Sequence, residues 1–239
     1  MIGVLAEMDH HANAGTSRWH RAGALGKMAL TVLAVGLAVA SPSLTLLASV
    51  HAAIWALVLT SGLPWRVWLA AAAYPLVFLS LFLVTRWDGT LATPLTLILR
   101  PLTASLAAVW LVGTTPYPDV FAPLSRVLPR YAGDSLFLTY RALFSLLARA
   151  HRLRQALLLR GGTSGSARRR LEVAGEGLGT LIVHGFERSR HLYQAMLLRG
   201  HSGRICGCRH FARRSAADGW VLTAGLALGV AAVTLWKSP

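Results

Sequence analysis

Residues 219–236 read GWVLTAGLALGVAAVTLW, a run that contains no charged side chain. A helix needs about 20 residues to cross the hydrocarbon core of a bilayer, within a tolerated range of roughly 17–25. Comparable apolar runs occur earlier in the chain, at Leu25–Ala40, Leu44–Thr60, Val67–Thr85 and Pro101–Pro118. The sequence therefore predicts an all-α membrane protein with about five transmembrane helices.

The composition also indicates a membrane protein. Hydrophobic residues make up 54% of the chain and charged residues 14%, whereas a soluble chain carries about 25% charged residues. The charges are unbalanced, with 24 Lys and Arg against 9 acids and a formal net charge of +15. The apolar content excludes a disordered chain, and two cysteines exclude a disulfide scaffold. Nucleic-acid binding is not expected, because a nucleic-acid-binding protein of this charge would be far less hydrophobic.

The first apolar run allows an alternative interpretation. Arg18, Arg21 and Lys27 precede or open it, and it ends in the small residues 38–40 (AVA), a pattern typical of a cleaved signal peptide. A second apolar run begins only a few residues later, so we favour a retained first span. Lys27 is then expected to extend its ammonium group toward the lipid headgroups.

The distribution of basic residues predicts the orientation of the chain. Seventeen of the 24 basic residues lie between residues 119 and 218, and Lys and Arg are enriched in cytoplasmic loops. Only Arg86 and Arg100, in the predicted loop between the third and fourth spans, oppose an arrangement with the N-terminus inside. We therefore expect transmembrane helices 1–4 at residues 1–118, a cytoplasmic region at residues 119–218, and a final transmembrane helix at residues 219–239.

Two long helices are predicted within the cytoplasmic region. The first is expected to start near residues 133–135 (GDS), which offer capping side chains, and to run over Leu136–Arg160 until Gly161 ends it. Residues 163–170 (TSGSARRR) have the composition of a flexible basic linker. A second helix is expected over Glu172–Arg199, followed by Gly200.

The ends of these two helices repeat one motif. Residues 155–161 read QALLLRG and residues 194–200 read QAMLLRG, identical at six of seven positions. An Ala and an Arg four residues apart share one helical face, and the planar guanidinium suits carboxylate and carbonyl acceptors. The alternative is that each Arg only complements the helix dipole and each Gly only caps, but capping requires neither the Gln nor the Ala. The candidate site residues are Ala156, Arg160, Gly161, Ala195, Arg199 and Gly200.

These repeated motifs resemble the paired Ala-Arg-Gly motifs of the transmembrane T component of energy-coupling factor (ECF) transporters. Three segments carry the resemblance to the cobalt/nickel branch, the CbiQ-type proteins: His10–Met28, Thr139–Gly161 and Glu176–Arg204. The sequence differs from the family at Leu159 and Leu198, where the family has the Ala that directly precedes Arg. Ala156 and Ala195 correspond to a second Ala that family members carry.

The resemblance implies a multi-pass scaffold in the cell inner (plasma) membrane. Such a scaffold joins two cytoplasmic ATPase subunits to a membrane-embedded, CbiM-like substrate-capture subunit. Each Arg-bearing helix end would sit in a groove of one ATPase subunit and transmit ATP-driven motion, here for cobalt uptake. Nickel or a vitamin is the alternative cargo, because the capture subunit selects it.

An alternative from another class is a basic integral-membrane protein that binds anionic membrane lipid. Scattered arginines would serve that role, so the duplicated motif favours the transporter. An enzyme is not expected, since the chain lacks a G-x-x-x-x-G-K-[ST] phosphate-binding loop and other catalytic patterns. ATP hydrolysis would then be supplied by the partner ATPase.

Neither a cofactor nor a metal site is expected in this chain. Cys206 and Cys208, with His201 and His210 nearby, do not have zinc-finger spacing. The neighbouring histidines at positions 10 and 11 make no complete site by themselves. His51 lies inside the second predicted span, where an ionisable residue is either functional or hydrogen-bonded to a neighbouring helix. We favour the hydrogen-bonded role.

Overall fold

The computed structural model describes residues 2–65, 69, 75, 76, 79, 80, 92–162, 164–201 and 215–236. All regular secondary structure within these ranges is helical, so the predicted all-α membrane protein is confirmed. The third predicted span, Val67–Thr85, falls on residues that are mostly outside the described ranges. Arg86, Cys206, Cys208 and His210 also lie outside them.

The described helices are numbered here in chain order. They are α1 (Ile2–Ala14), α2 (Arg18–Arg21), α3 (Ala24–Ala40), α4 (Leu44–Ser61), α5 (Ala92–Thr114), α6 (Tyr117–Val127), α7 (Arg130–Leu159), α8 (Ala167–Leu198) and α9 (Asp218–Leu235). The chain divides into two compact units, one formed by residues 1–124 and 208–239 and the other by residues 125–207.

Within the described residues, three helices are long and apolar enough to cross a membrane. They are α4, α9 and residues Pro94–Thr114 of α5, and α3 is an apolar helix that is slightly shorter. The helices α3, α4 and α9 coincide closely with the first, second and fifth predicted runs. The predicted position of the fourth run, Pro101–Pro118, was wrong, because α5 begins at Ala92 and ends at Thr114.

Arg100 accounts for much of this difference. It was expected in a loop, but it lies inside α5, and its Nη2 donates a hydrogen bond of 2.9 Å to the carbonyl oxygen of Ser41. Ser41 is the residue that ends α3, where carbonyl groups lack helical partners. Pro101 lies inside this helix, and prolines are tolerated within transmembrane helices.

The core of the first unit forms where α3, α4, α5 and α9 pack together. Ala34 and Val50 have no exposed surface, while Leu106 and Trp110 are 1% exposed. Leu228 of α9 belongs to the same cluster. Small residues such as Ala34 let helix backbones approach closely, which is typical of helix packing in membranes.

One end of this core is held by Lys27. Its side chain is 1% exposed, and its Nζ donates a hydrogen bond of 2.8 Å to the carbonyl oxygen of Thr114, the last residue of α5. Asp119 and Asp218 are the acidic groups that interact with it electrostatically. The expectation that Lys27 extends to the lipid headgroups is therefore wrong, because its ammonium group finds acceptors within the protein.

Asp218 connects the same end of the core to the start of α3. Its Oδ1 accepts a hydrogen bond of 2.6 Å from the backbone N–H of Gly23, the N-cap residue of α3. Its Oδ2 accepts one of 2.9 Å from Ser215. A carboxylate at a helix N-terminus is favourable because free N–H groups and the helix dipole both attract it. Lys27 and Asp218 thus hold together the ends of α3, α5 and α9.

His20 lies outside the spans and packs against the C-terminal end of α5. Its Nε2 lies 3.2 Å from the carbonyl oxygen of Gly113, and its Nδ1 lies 2.6 Å from Ser17 Oγ. A neutral imidazole satisfies both groups by donating from Nε2 and accepting at Nδ1. Burial lowers the pKa of His20 below 6.5, and the charge of Lys27 acts in the same direction.

The second unit contains the two long helices. α7 starts at Arg130 after Pro129, so the expected start at residues 133–135 is wrong. The carbonyl oxygen of Pro129 already accepts the first helical hydrogen bonds, from Ala132 and Gly133. Gly133 is instead a place of close approach, because an added Cβ would lie 2.8 Å from the Cβ of Ser125.

The start of α8 also differs from expectation. Residues 167–170 are helical rather than part of a flexible linker. The side chain of Ser166 accepts from the backbone N–H of Arg169, and Arg168 forms an ion pair of 3.1 Å with Glu172 one turn later. An N-cap and an i,i+4 pair both stabilise a helix start, which explains why the helix begins earlier than its composition indicated.

The helices α7 and α8 form an antiparallel pair. Val173, near the start of α8, lies against Gly162, just after α7. Further along α8, Gly177 faces Leu153, and Gly185 faces Leu146. The contacting residue numbers fall on α7 as they rise on α8, so the C-terminal ends of the two helices lie at opposite ends of the pair.

The role of Lys27 is tested by the substitution Lys27→Met. Removing the ammonium group leaves the buried carbonyl of Thr114 without this donor, at a cost of about 1–3 kcal/mol. We expect the melting temperature of the detergent-solubilised protein to fall by several degrees. Val32→Met on the same helix is the control, because Val32 is 72% exposed. An unchanged melting temperature for Lys27→Met would contradict the assigned role.

His20 predicts a pH dependence of stability. Because its pKa is lower in the folded state, the unfolded chain binds more protons between that lowered pKa and 6.5. Stability is therefore greatest above pH 6.5 and falls as the pH drops through this window. We expect melting curves of His20→Gln, recorded from pH 7.5 down to 5.5, to lose less stability than the unaltered protein. Equal losses would show that His20 contributes nothing.

Candidate functional site

The repeated motifs end α7 and α8 with the same backbone geometry. Arg160 and Arg199 are the C-cap residues, with φ and ψ of −88° and 7° for the first and −90° and 11° for the second. The next residues, Gly161 and Gly200, have φ of +69° and +72°. This left-handed conformation is readily adopted only by glycine, so the predicted helix ends at these glycines are confirmed.

Hydrogen bonds complete the same helix-ending pattern at both motifs. The N–H of Gly161 donates to Leu158 O at 3.1 Å, and that of Gly162 donates to Leu157 O at 2.8 Å. At the second end, Gly200 donates to Leu197 O, and His201 donates to Met196 O, both at 3.0 Å. These paired bonds define a Schellman motif. The backbone alone therefore satisfies each terminus, and neither arginine side chain is needed for capping.

Each arginine lies beside a leucine that projects into the surroundings. Leu159 is 91% exposed and Leu198 is 90% exposed, and the side chains of Arg160 and Arg199 are also exposed. Neither guanidinium donates a hydrogen bond to any group in the part of the chain that the structure describes. Each helix therefore presents a free cation next to a free apolar side chain, which is a suitable surface for binding a partner.

The two ends are far apart. Gly162 contacts Val173, and Arg199 lies 26 residues beyond Val173 on one continuous helix. At 1.5 Å per residue, this places the second end roughly 40 Å from the first. The diameter of a small domain is about 30 Å, so the two motifs suit separate binding sites rather than one.

The small residue of each motif has a backbone role that the structure shows. The carbonyl oxygen of Ala156 accepts from Arg160 N at 3.1 Å, and that of Ala195 accepts from Arg199 N at 3.2 Å. Ala195 is exposed and Ala156 is partly exposed. Close approach by a partner beside Ala195 stays a prediction.

His51 is held in a hydrogen-bond network that joins α4 to α5. Trp55 Nε1 donates to His51 Nε2 at 2.9 Å, so Nε2 carries no proton. Thr103 Oγ1 donates to Leu99 O at 2.7 Å, which leaves its lone pair to accept from His51 Nδ1 at 2.9 Å. This assignment gives a neutral imidazole with both nitrogens occupied. These contacts support the prediction that His51 is hydrogen-bonded to a neighbouring helix.

The remaining metal candidates do not converge in the described residues, among which no group of three His, Cys, Asp or Glu side chains is placed to hold an ion. The rings of His10 and His11 are 6.0 Å apart. His201 completes the end of α8 through its backbone, and Cys206 and Cys208 lie outside the described residues.

Sequence reasoning missed two polar features between α7 and α8. Arg149 Nη1 lies 2.8 Å from His184 Nε2, which links the two helices. Arg141 and Arg188 line a cleft further along the pair. Neither feature has a local sequence signal, because each depends on the register between helices that are separated in the chain.

Comparison with known proteins gives one family and one relative. The family model described as CbiQ, cobalt transport protein, matches residues 15–206. Over 64 residues the chain is 42% identical to the cobalt transport protein CbiQ of Salmonella typhimurium (strain LT2). The aligned region is 26% of this chain and 28% of the relative's length.

The glycine at the end of α8 is tested by Gly200→Ala. A left-handed conformation costs a non-glycine residue roughly 1–2 kcal/mol, so the last turn should open more often. We expect amide hydrogen exchange over residues 194–201 to accelerate by about 5–30-fold. Gly179→Ala is the control, because Gly179 is helical and an added Cβ would meet nothing within 4 Å. Equal exchange rates in both variants would refute the assigned role.

Proposed function

Because this chain belongs to the CbiQ family of cobalt transport proteins, we propose that it is the membrane scaffold of an energy-coupling factor importer. In this role the chain hydrolyses no ATP itself. It connects two cytoplasmic ATPase subunits to a membrane-embedded capture subunit, and its cargo is cobalt. The N-terminus and residues 119–218 face the cytoplasm, in keeping with the excess of arginine there.

The observation that carries this proposal is the pair of nearly identical helix ends, which share the same backbone geometry. Arg160 and Arg199 each occupy the C-cap position, and each is exposed beside an exposed leucine. Their separation of roughly 40 Å exceeds the diameter of a small domain. Two equivalent ends at that separation favour two equivalent binding sites, one on each subunit of an ATPase pair.

The chemistry of each end suits a groove that contains carboxylates. A guanidinium can form two parallel hydrogen bonds to a carboxylate, and such charge-assisted bonds are stronger than neutral ones. The adjacent Leu159 or Leu198 adds apolar surface that would exclude water around the charged contact. These leucines replace the alanine of the family motif, so we expect the grooves of the cognate ATPase subunits to be wider and more apolar at that point.

The length of the helices suits the transmission of motion. α7 and α8 contain 30 and 32 residues and are continuous. They contact each other at glycines, including Gly177, where an added Cβ would lie 3.4 Å from Leu153 and from Leu157. A movement of the two ATPase sites relative to each other would change the angle between the helices about this contact. In sequence, α7 follows α6, and α8 leads to α9.

The arginine anchors are tested by Arg160→Ala and Arg199→Ala. Removing one partner of a buried charge-assisted pair costs about 3–5 kcal/mol, so each single variant should weaken the affinity for the co-expressed ATPase subunits by at least about 100-fold. The measurements are co-purification in detergent and uptake of radiolabelled cobalt by cells. Both should fall in each variant.

Arg152→Ala and Arg190→Ala provide matched controls. Both residues are exposed on the same two helices and carry the same charge, but neither lies at a helix end. We expect both controls to retain assembly and uptake. If the double variant Arg160→Ala/Arg199→Ala also retained both, the proposed function would be wrong.

A further inference from the structure

A cleft with an apolar floor lies between α7 and α8. It has a volume of about 470 Å³ and is open on one side. Leu138 and Leu146 of α7 and Leu192 of α8 contribute the apolar surface. Gly185 also lines it, and the absence of a side chain there leaves the floor accessible; its nearest neighbour is Leu146. A cleft of this size is within the range that binds small molecules.

The rim of the cleft is basic and rich in hydroxyl groups. Arg141 of α7 and Arg188 and His191 of α8 line it together with Ser145 and Ser189. No carboxylate is among the described residues that line it. Neither guanidinium forms an ion pair or a hydrogen bond with any other described residue. The rim therefore offers at least two uncompensated cations to a ligand, with the hydroxyl of Ser189 beside them, whereas the hydroxyl of Ser145 already donates to Ala142 O.

Electrostatics favours an anion here, because no acidic group among the described residues forms an ion pair with these arginines. The ion pair described in this unit is between Arg168 and Glu172, which do not line the cleft. The guanidinium of Arg149 is already within hydrogen-bond distance of His184. Two guanidinium groups that face one space repel each other, and a bound phosphate or carboxylate would remove that repulsion.

We propose that this cleft binds the phosphate headgroup of an anionic phospholipid, with Arg141 and Arg188 as the phosphate-binding residues. The phosphate could belong to a phospholipid or to a free phosphate ion, and the apolar floor favours the phospholipid. Leu138, Leu146 and Leu192 would contact the first carbons of its acyl chain, whereas a free phosphate ion would make no use of these leucines. Clustered arginines on helices that lie on the cytoplasmic side of a membrane attract such headgroups, so the lipid site rests on the proposed cytoplasmic orientation of residues 119–218. This proposal does not depend on the ATPase partners.

The test uses the full chain, delipidated in a neutral detergent. Binding of short-chain phosphatidylglycerol, short-chain phosphatidylcholine, inorganic phosphate and a peptide of five glutamates is measured by native mass spectrometry and by thermal shift. Arg141→Gln/Arg188→Gln removes both cations that would contact the headgroup, so it should weaken phosphatidylglycerol binding by about tenfold or more.

The matched control is Arg152→Gln/Arg190→Gln, which removes the same charge from exposed positions of the same helices that do not line the cleft. The proposal predicts that the control loses less than about threefold in affinity, and that phosphatidylcholine and inorganic phosphate bind much more weakly than phosphatidylglycerol. Melting curves of both double variants show whether they are folded.

Three results would each overturn the proposal. Equal losses in the two double variants would mean that anionic lipid binds by diffuse charge. Inorganic phosphate that binds as tightly as phosphatidylglycerol would identify a site for a free ion. Tighter binding of the glutamate peptide would identify a surface for an acidic protein segment. The two proposals can fail separately. Lipid binding that is unchanged in Arg160→Ala, together with ATPase binding that is unchanged in Arg141→Gln/Arg188→Gln, would show that the two sites are independent.

Discussion

A single backbone constraint determines the site: each long helix must end at a glycine in the left-handed conformation. At φ of +69° and +72°, Gly161 and Gly200 turn the chain away from the helix axis directly after an arginine. The last helix carbonyls then accept hydrogen bonds from backbone N–H groups, so the guanidinium groups of Arg160 and Arg199 remain available to donate to other groups. A residue with a Cβ at either glycine would favour a longer or frayed helix and would leave the arginine on the side of a helix instead of at its end.

In the first unit, charged side chains form hydrogen bonds with the backbone groups at the helix ends. Arg100 donates to the terminal carbonyl region of α3, Lys27 donates to that of α5, and Asp218 accepts from the start of α3. Basic groups at helix C-termini and acidic groups at N-termini agree with the helix dipole. In an apolar environment an unsatisfied backbone group costs several kcal/mol, so these three side chains fix where the helices of the bundle can end.

How much the sequence could predict depends on the distance along the chain between interacting groups. The first, second and fifth apolar runs and the glycine helix ends are local patterns, and these were predicted correctly. The position of α5 was not, because the acceptor of Arg100 lies 59 residues away. Lys27 and Thr114 are 87 residues apart, so no inspection of the first span alone reveals that the ammonium group is buried. The cleft was missed because it requires the register between α7 and α8. The coupling role of the repeated motifs stays a prediction.

The arginines of the second unit lie in different surroundings. Arg168 is paired with Glu172, and Arg149 is directed to His184, so these two stabilise the helices. Arg160 and Arg199 are exposed at the ends of the pair, and neither forms an ion pair with another described residue. The two cleft arginines are also unpaired among the described residues, and they line the same cleft as Leu138, Leu146 and Leu192. A membrane scaffold that touches both soluble subunits and lipid needs separate cationic sites for each, since one site cannot bind a carboxylate groove and a phospholipid headgroup at the same time.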